Sequence, residues 1–356
     1  MKIIIPILGF AAQGGYRVLS ELANAWIRRG HECIFLVPST SAAPYFPTKA
    51  SFLRCDRRGR FTNDRSGKAP SGADNLLSLW AGLRKIGHHY DVVLANHSLT
   101  AWPVFAANCG RALKLYYVQA YEPDYYRLSK KPFKHLLART SYLLNLQQIA
   151  NSASYRGAGL RPVAIIPPGI DLSVFTVKKP DVNFEAKDRI VLGTIGRTEP
   201  YKGTATAISS YRSLRQTEPR LHMKIGFGNV APADDLEIVP IKGDAQLAAF
   251  YRSVDVLVVA CYGQHGAPHY PLIEAMASGT PVVHTGYYPG SPENSWQAYD
   301  SSVEGLTAAL WDLFRTPVAE RARRIAAARE TVARTLSWDA VAQQLEESFE
   351  KLRDFG

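Results

Sequence analysis

Two short segments hold the residues best suited to chemistry. The first is Gly196-Arg197-Thr198-Glu199-Pro200-Tyr201-Lys202-Gly203, between an apolar run and a helical pattern. An Arg and a Lys at the C-terminal end of a parallel strand, just before a helix N-terminus, can neutralise a diphosphate. A solvated charged turn is the plainer alternative. The second is Tyr270-Pro271-Leu272-Ile273-Glu274-Ala275-Met276-Ala277-Ser278-Gly279. Glu274 is expected at the start of a short helix that Gly279 ends. A carboxylate there can accept both hydroxyls of a ribose, or simply complement the helix dipole. A third segment, Gly9 to Gly15, joins the first apolar run to a helix. Its glycines let a backbone approach a ligand, but the spacing matches neither the dinucleotide fingerprint nor the P-loop, and a tight turn explains it as well.

These segments need strands and helices to hold them. Apolar runs with strand character lie at Lys2–Leu8, Glu32–Pro38, Asp91–His97, Lys114–Gln119, Gln148–Ser152 and Val163–Pro167. A second series lies at Arg189–Arg197, Leu221–Phe227, Leu236–Ile241, Val254–Cys261 and Thr280–Thr285. Runs apolar on both faces belong to parallel strands covered by helices on either side. Helical patterns lie between them; one carries Leu19, Leu22, Ala23 and Trp26 and stops at Gly30. The fold class is therefore α/β, with two similar Rossmann-like domains. Pro167-Pro168-Gly169 breaks the chain between them. The expected divisions are 1–168, 169–335 and a terminal helix over 336–356, capped by Ser337, with Trp338, Val341, Leu345, Phe349 and Leu352 on one stripe.

Met1 to Gln13 reads as a buried first strand rather than a leader, because Pro6 interrupts a short apolar core. No run is long enough for a transmembrane helix. Cys33, Cys55, Cys109 and Cys261 form no metal-ligand pair and no Cys-x-x-Cys, so no metal site and a reducing, cytoplasmic location are expected. Of the chain's 42 basic and 31 acidic residues, 22 and 8 fall within positions 1–170. That half carries the whole excess charge, which calls for an anionic partner.

The three segments, in this order, resemble glycosyltransferase family 4, with its GT-B fold. The resemblance spans nearly the whole chain. Pro167-Pro168-Gly169-Ile170-Asp171 is similar to the family's interdomain junction, and Leu247 to Asp255 to its helix-to-strand piece. Val118-Gln119-Ala120-Tyr121-Glu122-Pro123 and Tyr270-Pro271 resemble a subgroup that includes rhamnosyltransferases of bacterial surface glycans, although Ala120 departs from the usual Asp.

The resemblance implies two domains facing across a cleft, with the last helix crossing back to the N-terminal one. It implies a retaining transfer, independent of metal and cofactor, from a nucleoside-diphosphate sugar to a glycan or lipid-linked glycan. The sugar would be a deoxyhexose such as rhamnose, otherwise mannose or another hexose. Gly196, Arg197 and Lys202 would bind the diphosphate, Glu274 the ribose, and amides near Tyr270, Leu272 and Ile273 the phosphate oxygens. Gly14 and Gly15 would shape the cleft floor. His97 would lie beside the donor sugar, and His97 and Glu122 are candidates for positioning the acceptor or acting as a local base. The family's first glutamate is replaced by Gly266, which shifts sugar recognition toward His265 or His269.

The basic half would then be the acceptor half. Arg54, Arg57, Arg58, Arg60, Arg65 and Lys68 lie in a stretch expected to be a polar loop. Arg127, Lys130, Lys131, Lys134 and Arg139 alternate with Leu128, Phe133, Leu136 and Leu137. Both suit an anionic membrane at its cytoplasmic face. No nucleic-acid recognition motif is present. The alternatives are another GT-B enzyme, such as a nucleotide-sugar epimerase or a sugar phosphorylase, or a non-catalytic member that binds donor or glycan.

Overall fold

The computed structural model describes the chain except residues 66–71, 127, 159, 178–181, 229, 263–267 and 355–356. Lys68, Arg127, His265 and Gly266 lie outside the described residues. The chain divides into two units, Met1–Gly169 with Trp338–Gly356, and Ile170–Ser337.

The first unit contains β1 (Lys2–Pro6), α1 (Gly14–Arg28), β2 (Glu32–Pro38), β3 (Ser51–Cys55), β4 (Phe61–Thr62) and α2 (Gly72–Ile86). It continues through β5 (Val92–Ala95), α3 (Ser98–Ala106), β6 (Leu113–Val118), α4 (Pro132–Ser141), β7 (Gln147–Ala150) and β8 (Ala164–Ile165). The sheet order is β4-β3-β2-β1-β5-β6-β7-β8, parallel except where β4 turns back on β3. Strand β1 shows why both faces must be apolar. Ile3 and Ile5 pack with Leu22 and Trp26 of α1, while Ile4 packs with Leu79, Leu83 and Val104 of α2 and α3.

The second unit contains β9 (Ile190–Ile195), α5 (Thr204–Arg215), β10 (Leu221–Gly226), β11 (Leu236–Val239), α6 (Gly243–Arg252) and β12 (Val256–Val259). Then come α7 (Tyr270–Ala277), β13 (Val282–His284), β14 (Trp296–Gln297), α8 (Val303–Arg315) and α9 (Val318–Leu336). Its parallel sheet runs β11-β10-β9-β12-β13-β14. The connection from β10 to β11 carries no helix among its described residues, although parallel pairs usually need one to cross over.

In both sheets the strand order reverses beside the first strand, at β1/β5 and at β9/β12. The loops leaving these strands diverge there, which opens a crevice at the carboxyl ends.

The last helix, α10 (Trp338–Asp354), belongs to the first unit. Its stripe of Val341, Leu345 and Phe349 is buried against α1. The Trp26 indole donates to the Ala342 carbonyl at 3.3 Å, and Arg29 grips the nearly buried Glu346 through both carboxylate oxygens.

The expected strands are present with trimmed ends, and three were not expected: β3, β4 and β14. The Arg54–Lys68 stretch is not a polar loop where it is described. It is an edge strand with a short return, and its arginines are largely engaged. Arg54 donates to the Ser41 and Asn63 carbonyls, Arg60 pairs with Asp56 at 2.8 Å, and Arg57 lies 3.7 Å from Asp74. Arg54, Arg57 and Arg60, expected to face a membrane, are thus engaged within the unit, while Arg58 of the same expectation is exposed.

Phe349 is fully buried and Phe133 is 72% exposed. Phe349→Ala should therefore cost roughly 3–5 kcal/mol, and Phe133→Ala within about 0.5 kcal/mol of nothing, in denaturant melts. Equal losses would contradict the docking of α10.

Candidate functional site

The diphosphate segment begins where β9 ends. Gly196 donates its N–H to the Gly226 carbonyl, 2.7 Å, and Arg197 donates its N–H to the Thr204 hydroxyl, 3.0 Å. Pro200–Lys202 forms one 3-10 turn, and Gly203 then stands at φ +71 before α5 begins. A Cβ at Gly203 would lie 1.9 Å from the Ala260 carbonyl oxygen. Only glycine can occupy this position, and its smallness brings the turn onto the end of β12. There the Tyr262 N–H donates to the Tyr201 carbonyl at 2.9 Å, and the Cys261 thiol donates to the Lys202 carbonyl at 3.3 Å.

Helix α7 supplies the second segment. Its N-cap residue, His269, is nearly buried and sends Nε2 back to the Cys261 sulfur at 3.0 Å. Burial pushes the His269 ring down to about 3, helped by the charges of Lys202 and Arg197. Burial likewise pushes the Cys261 thiol up to about 11, while the same two cations pull it down. Both cations therefore act on one small volume at the β9/β12 crevice. Glu274 sits in the second turn of α7, not its first, so dipole complementarity is not its role. The Tyr251 hydroxyl, fully buried in α6, donates to Glu274 Oε2 at 2.8 Å and fixes its rotamer. Arg197 acts on the Tyr251 hydroxyl as well, which links the cations to the carboxylate.

Beside Arg197 lies a pocket of about 500 Å³, lined by Thr204, Ile208 and Arg212 of α5 and by Val230, Pro232 and Leu236. It is walled by the helix-free connection from β10 to β11. The sequence did not point to this pocket, nor to Tyr251 or Cys261 as supports of the site, and His269, expected to recognise the sugar, is nearly buried with Nε2 on the Cys261 sulfur. The amide expectation needs correction at Ile273, whose N–H is spent on the His269 carbonyl at 3.1 Å. The Leu272 and Ile273 side chains are buried core, and Tyr270 is 40% exposed at the helix start.

In the first unit, Gly14 and Gly15 open α1 at the end of the loop after β1. A Cβ at Gly14 would meet nothing, whereas at Gly15 it would touch the Gln119 side chain at 3.5 Å. The glycine that the loop conformation requires is Gly9, at φ +135. Across the β1/β5 crevice, Asn96 ties the two strand ends by donating to the Pro6 carbonyl, 2.9 Å.

His97 and Glu122 meet behind this crevice. The Leu99 N–H donates to His97 Nδ1 at 3.0 Å, so the neutral ring carries its hydrogen on Nε2 and donates it to Glu122 Oε2 at 3.1 Å. Glu122 is 4% exposed and also accepts from the Ser98 N–H at 2.9 Å, the Ser98 hydroxyl and the Tyr116 hydroxyl. Burial pushes its carboxyl up to about 7, against the hydrogen bonds that favour the charged form, and pushes His97 down to about 4. Both ring nitrogens of His97 are engaged within the protein, and the Glu122 oxygens are turned inward to hold the start of α3. Glu122 is a positioning residue, and His97 presents only a ring edge.

Gly203→Ala should lower stability by roughly 2–4 kcal/mol, because the backbone conformation and the Ala260 carbonyl both exclude a methyl group. A thermal melt within a degree of wild type would contradict the close approach. Glu122 offers a pH test. The folded chain holds its proton to about pH 7, the unfolded chain only through the ordinary carboxylate range. Between these limits the folded state binds more protons, and stability falls as pH rises. Glu122→Gln removes that loss. Melts from pH 5 to 8 should show the variant gaining on wild type with rising pH, by at most about 1.4 kcal/mol per pH unit. A pH-independent difference would mean the carboxylate is ionised throughout.

Family models match most of the chain. Residues 12–174 match Glycosyltransferase Family 4, and residues 189–315 match Glycosyl transferases group 1. The D-inositol 3-phosphate glycosyltransferase of Segniliparus rotundus is 25% identical over 55% of this chain and 48% of its own. That of Actinosynnema mirum is 28% identical over 54% of this chain and 52% of its own. The chain thus spans about half the length of these relatives. Among solved structures, a sucrose-phosphate synthase from Thermosynechococcus elongatus superposes with a TM-score of 0.67 at 16% identity over 100% of both chains. The catalytic domain of starch synthase IV from Arabidopsis thaliana, bound to ADP and acarbose, gives 0.65 at 11% identity over 98% of this chain and 99% of that one. With the two sheets and their crevices, these matches make the chain a member of glycosyltransferase family 4 with the GT-B fold.

Proposed function

We propose that this protein transfers a sugar from a nucleoside-diphosphate donor to a glycan or lipid-linked glycan, with retention and without a metal. One observation carries the reading: Arg197 at the end of β9 and Lys202, in a turn clasped to the end of β12 by the Cys261 thiol, both stand beside the N-terminus of α5. Negative charge grows on the departing diphosphate as the bond to the anomeric carbon breaks. Two fixed cations and a helix N-terminus stabilise that charge without reorganising. The acceptor oxygen bonds to the face the diphosphate leaves, and its proton passes to a departing phosphate oxygen. No side-chain base is needed, which agrees with the inward-turned Glu122 and the engaged His97.

In this reading Glu274, oriented by Tyr251, binds the ribose, and the pocket beside Arg197 takes the nucleoside. Its size and its largely apolar wall suit a base, and Arg197 at its edge suits the adjoining phosphate. The acceptor belongs to the first unit and is membrane-borne, and the protein works at the cytoplasmic face. The transferred sugar is a deoxyhexose such as rhamnose, which needs fewer hydroxyl contacts than the family's missing glutamate would provide.

Nucleoside diphosphates should raise the melting temperature of the wild type. With the donor sugar that raises it furthest, Lys202→Ala should lower turnover by about 10²-fold or more. Absence of a shift with every nucleoside diphosphate, or near-wild-type turnover in the variant, would overturn the reading. A donor panel in which only fully hydroxylated hexoses are transferred would remove the deoxyhexose.

A further inference from the structure

Among the described residues, the two basic stretches of the first unit differ in what surrounds their charges. At the β3–β4 edge, Arg60 is engaged by Asp56, Arg57 by Asp74 and Arg54 by backbone carbonyls, while Arg58 is exposed. Lys130, Lys131, Lys134 and Arg139 are all exposed, and among the described residues none has a carboxylate within ion-pair distance. Beside them stand large apolar side chains that nothing covers: Tyr125, Leu128, Phe133, Leu136 and Leu143, each more than half exposed. Phe133 and Leu136 are one turn apart on α4, and Leu143 continues their line just past its C-cap. At about 100° per residue, Arg139 flanks that line about 60° from Leu136, while Lys134 is in the first turn, exposed at the helix start on the side of Ala138 and Ser141.

The opposite face of α4 is fixed. His135 Nδ1 lies 2.8 Å from the Tyr126 carbonyl, the Trp102 indole donates to the Leu137 carbonyl at 3.2 Å, and Ala138 and Ser141 are fully buried. The stripe is therefore a permanent outward surface of a packed helix. Aromatic and leucine side chains on the outer arc, with exposed cations at the helix start and on one flank, match the two layers of a bilayer interface: acyl chain beneath, anionic headgroup around.

We propose that this face of α4, with the preceding Leu128–Lys131 segment, docks on an anionic lipid bilayer. The α4 cations, rather than the arginines of the β3–β4 edge, supply the electrostatic attraction. The charge complementarity selects this occupant over a second copy of the chain, whose identical lysines would meet across a two-fold interface. The proposal rests on the transferase reading only for what docking would achieve, namely bringing a membrane-borne acceptor to the first unit.

Flotation with vesicles of phosphatidylcholine, or of phosphatidylcholine with phosphatidylglycerol, tests it on the full chain. The wild type should float with the anionic vesicles only, and less as salt is raised. The triple variant Lys130→Glu, Lys131→Glu, Lys134→Glu should lose about 10²-fold in partitioning, at roughly fivefold per lysine. Phe133→Ser with Leu136→Ser should lose about tenfold or more while melting as wild type. Arg57→Glu with Arg60→Glu should stay within about twofold. Equal flotation with both vesicle types, no flotation with either, or a loss in the Arg57/Arg60 variant as large as in the lysine variant would overturn the proposal. So would a dimer that Phe133→Ser dissociates. Melting shifts with nucleoside diphosphates, measured without vesicles, report on the transferase reading separately: either result can fail while the other stands.

Discussion

The absence of one methyl group organises the Arg197–Lys202 turn of the second unit. Because Gly203 has no side chain, its backbone can lie where a Cβ would touch the Ala260 carbonyl at 1.9 Å. The turn that carries Lys202 and the end of β12 then become one object, tied by Tyr201–Tyr262 and Lys202–Cys261 hydrogen bonds. The cations need this. Arg197 is exposed and Lys202 rests over the Tyr201 ring, its Nζ 5.0 Å from the centroid, so neither side chain is anchored by an ion pair among the described residues. Their position is inherited from the backbone. A site built this way keeps its charges available to a ligand, because the forces holding them do not consume them.

The first unit solves the corresponding problem at β1/β5 by a different route. Its loops are joined through a buried carboxylate. Glu122, in the turn after β6, accepts from the backbone and hydroxyl of Ser98 at the start of α3, and from His97. Its own N–H donates to the Tyr142 hydroxyl at the end of α4, 3.1 Å away. Desolvation makes such a node expensive when ionised, which is why the carboxyl titrates near 7 rather than in the ordinary range. The return is rigidity. Two helices share one anchor, so the exposed stripe on α4 and the crevice edge at His97 belong to a single framework.

Much of this organisation could be read from residue types alone, and the limits follow a physical line. Strands buried on both faces announce themselves by continuous apolar runs, as in Ile3-Ile4-Ile5 or Val256-Leu257-Val258-Val259. Strand β3 escapes because it is only half-buried and carries Arg54, and β4 and β14 are two residues long. Arg197 and Lys202 stand out in the sequence because they are charges beside glycines at the end of an apolar run, and Glu274 because it is a charge inside an otherwise apolar helix. Their supports do not. Tyr251, Cys261 and His269 are neutral residues in apolar surroundings, and each acts through a partner well away in sequence or through the neighbourhood the fold creates. Glu122 stands out in the sequence too, but nothing local says that a glutamate will point inward toward Ser98.

The same distinction applies to charge. A count of basic residues treats each one as a source of field, but field at a distance depends on what stands within a few ångströms. An arginine closed by a carboxylate contributes a short dipole, which salt and solvent screen within a few ångströms. A lysine without such a partner keeps its monopole. The excess of the first 170 residues therefore resolves into two populations. The β3–β4 arginines are largely closed on Asp56, Asp74 and backbone oxygens, and their work is to pin an edge strand. The lysines before and on α4 are exposed, and they stand beside apolar side chains that water hydrates poorly. Long-range attraction and short-range desolvation then favour the same surface. This coincidence is what the docking proposal for α4 rests on, although the arginine-rich edge has the denser charge in the sequence.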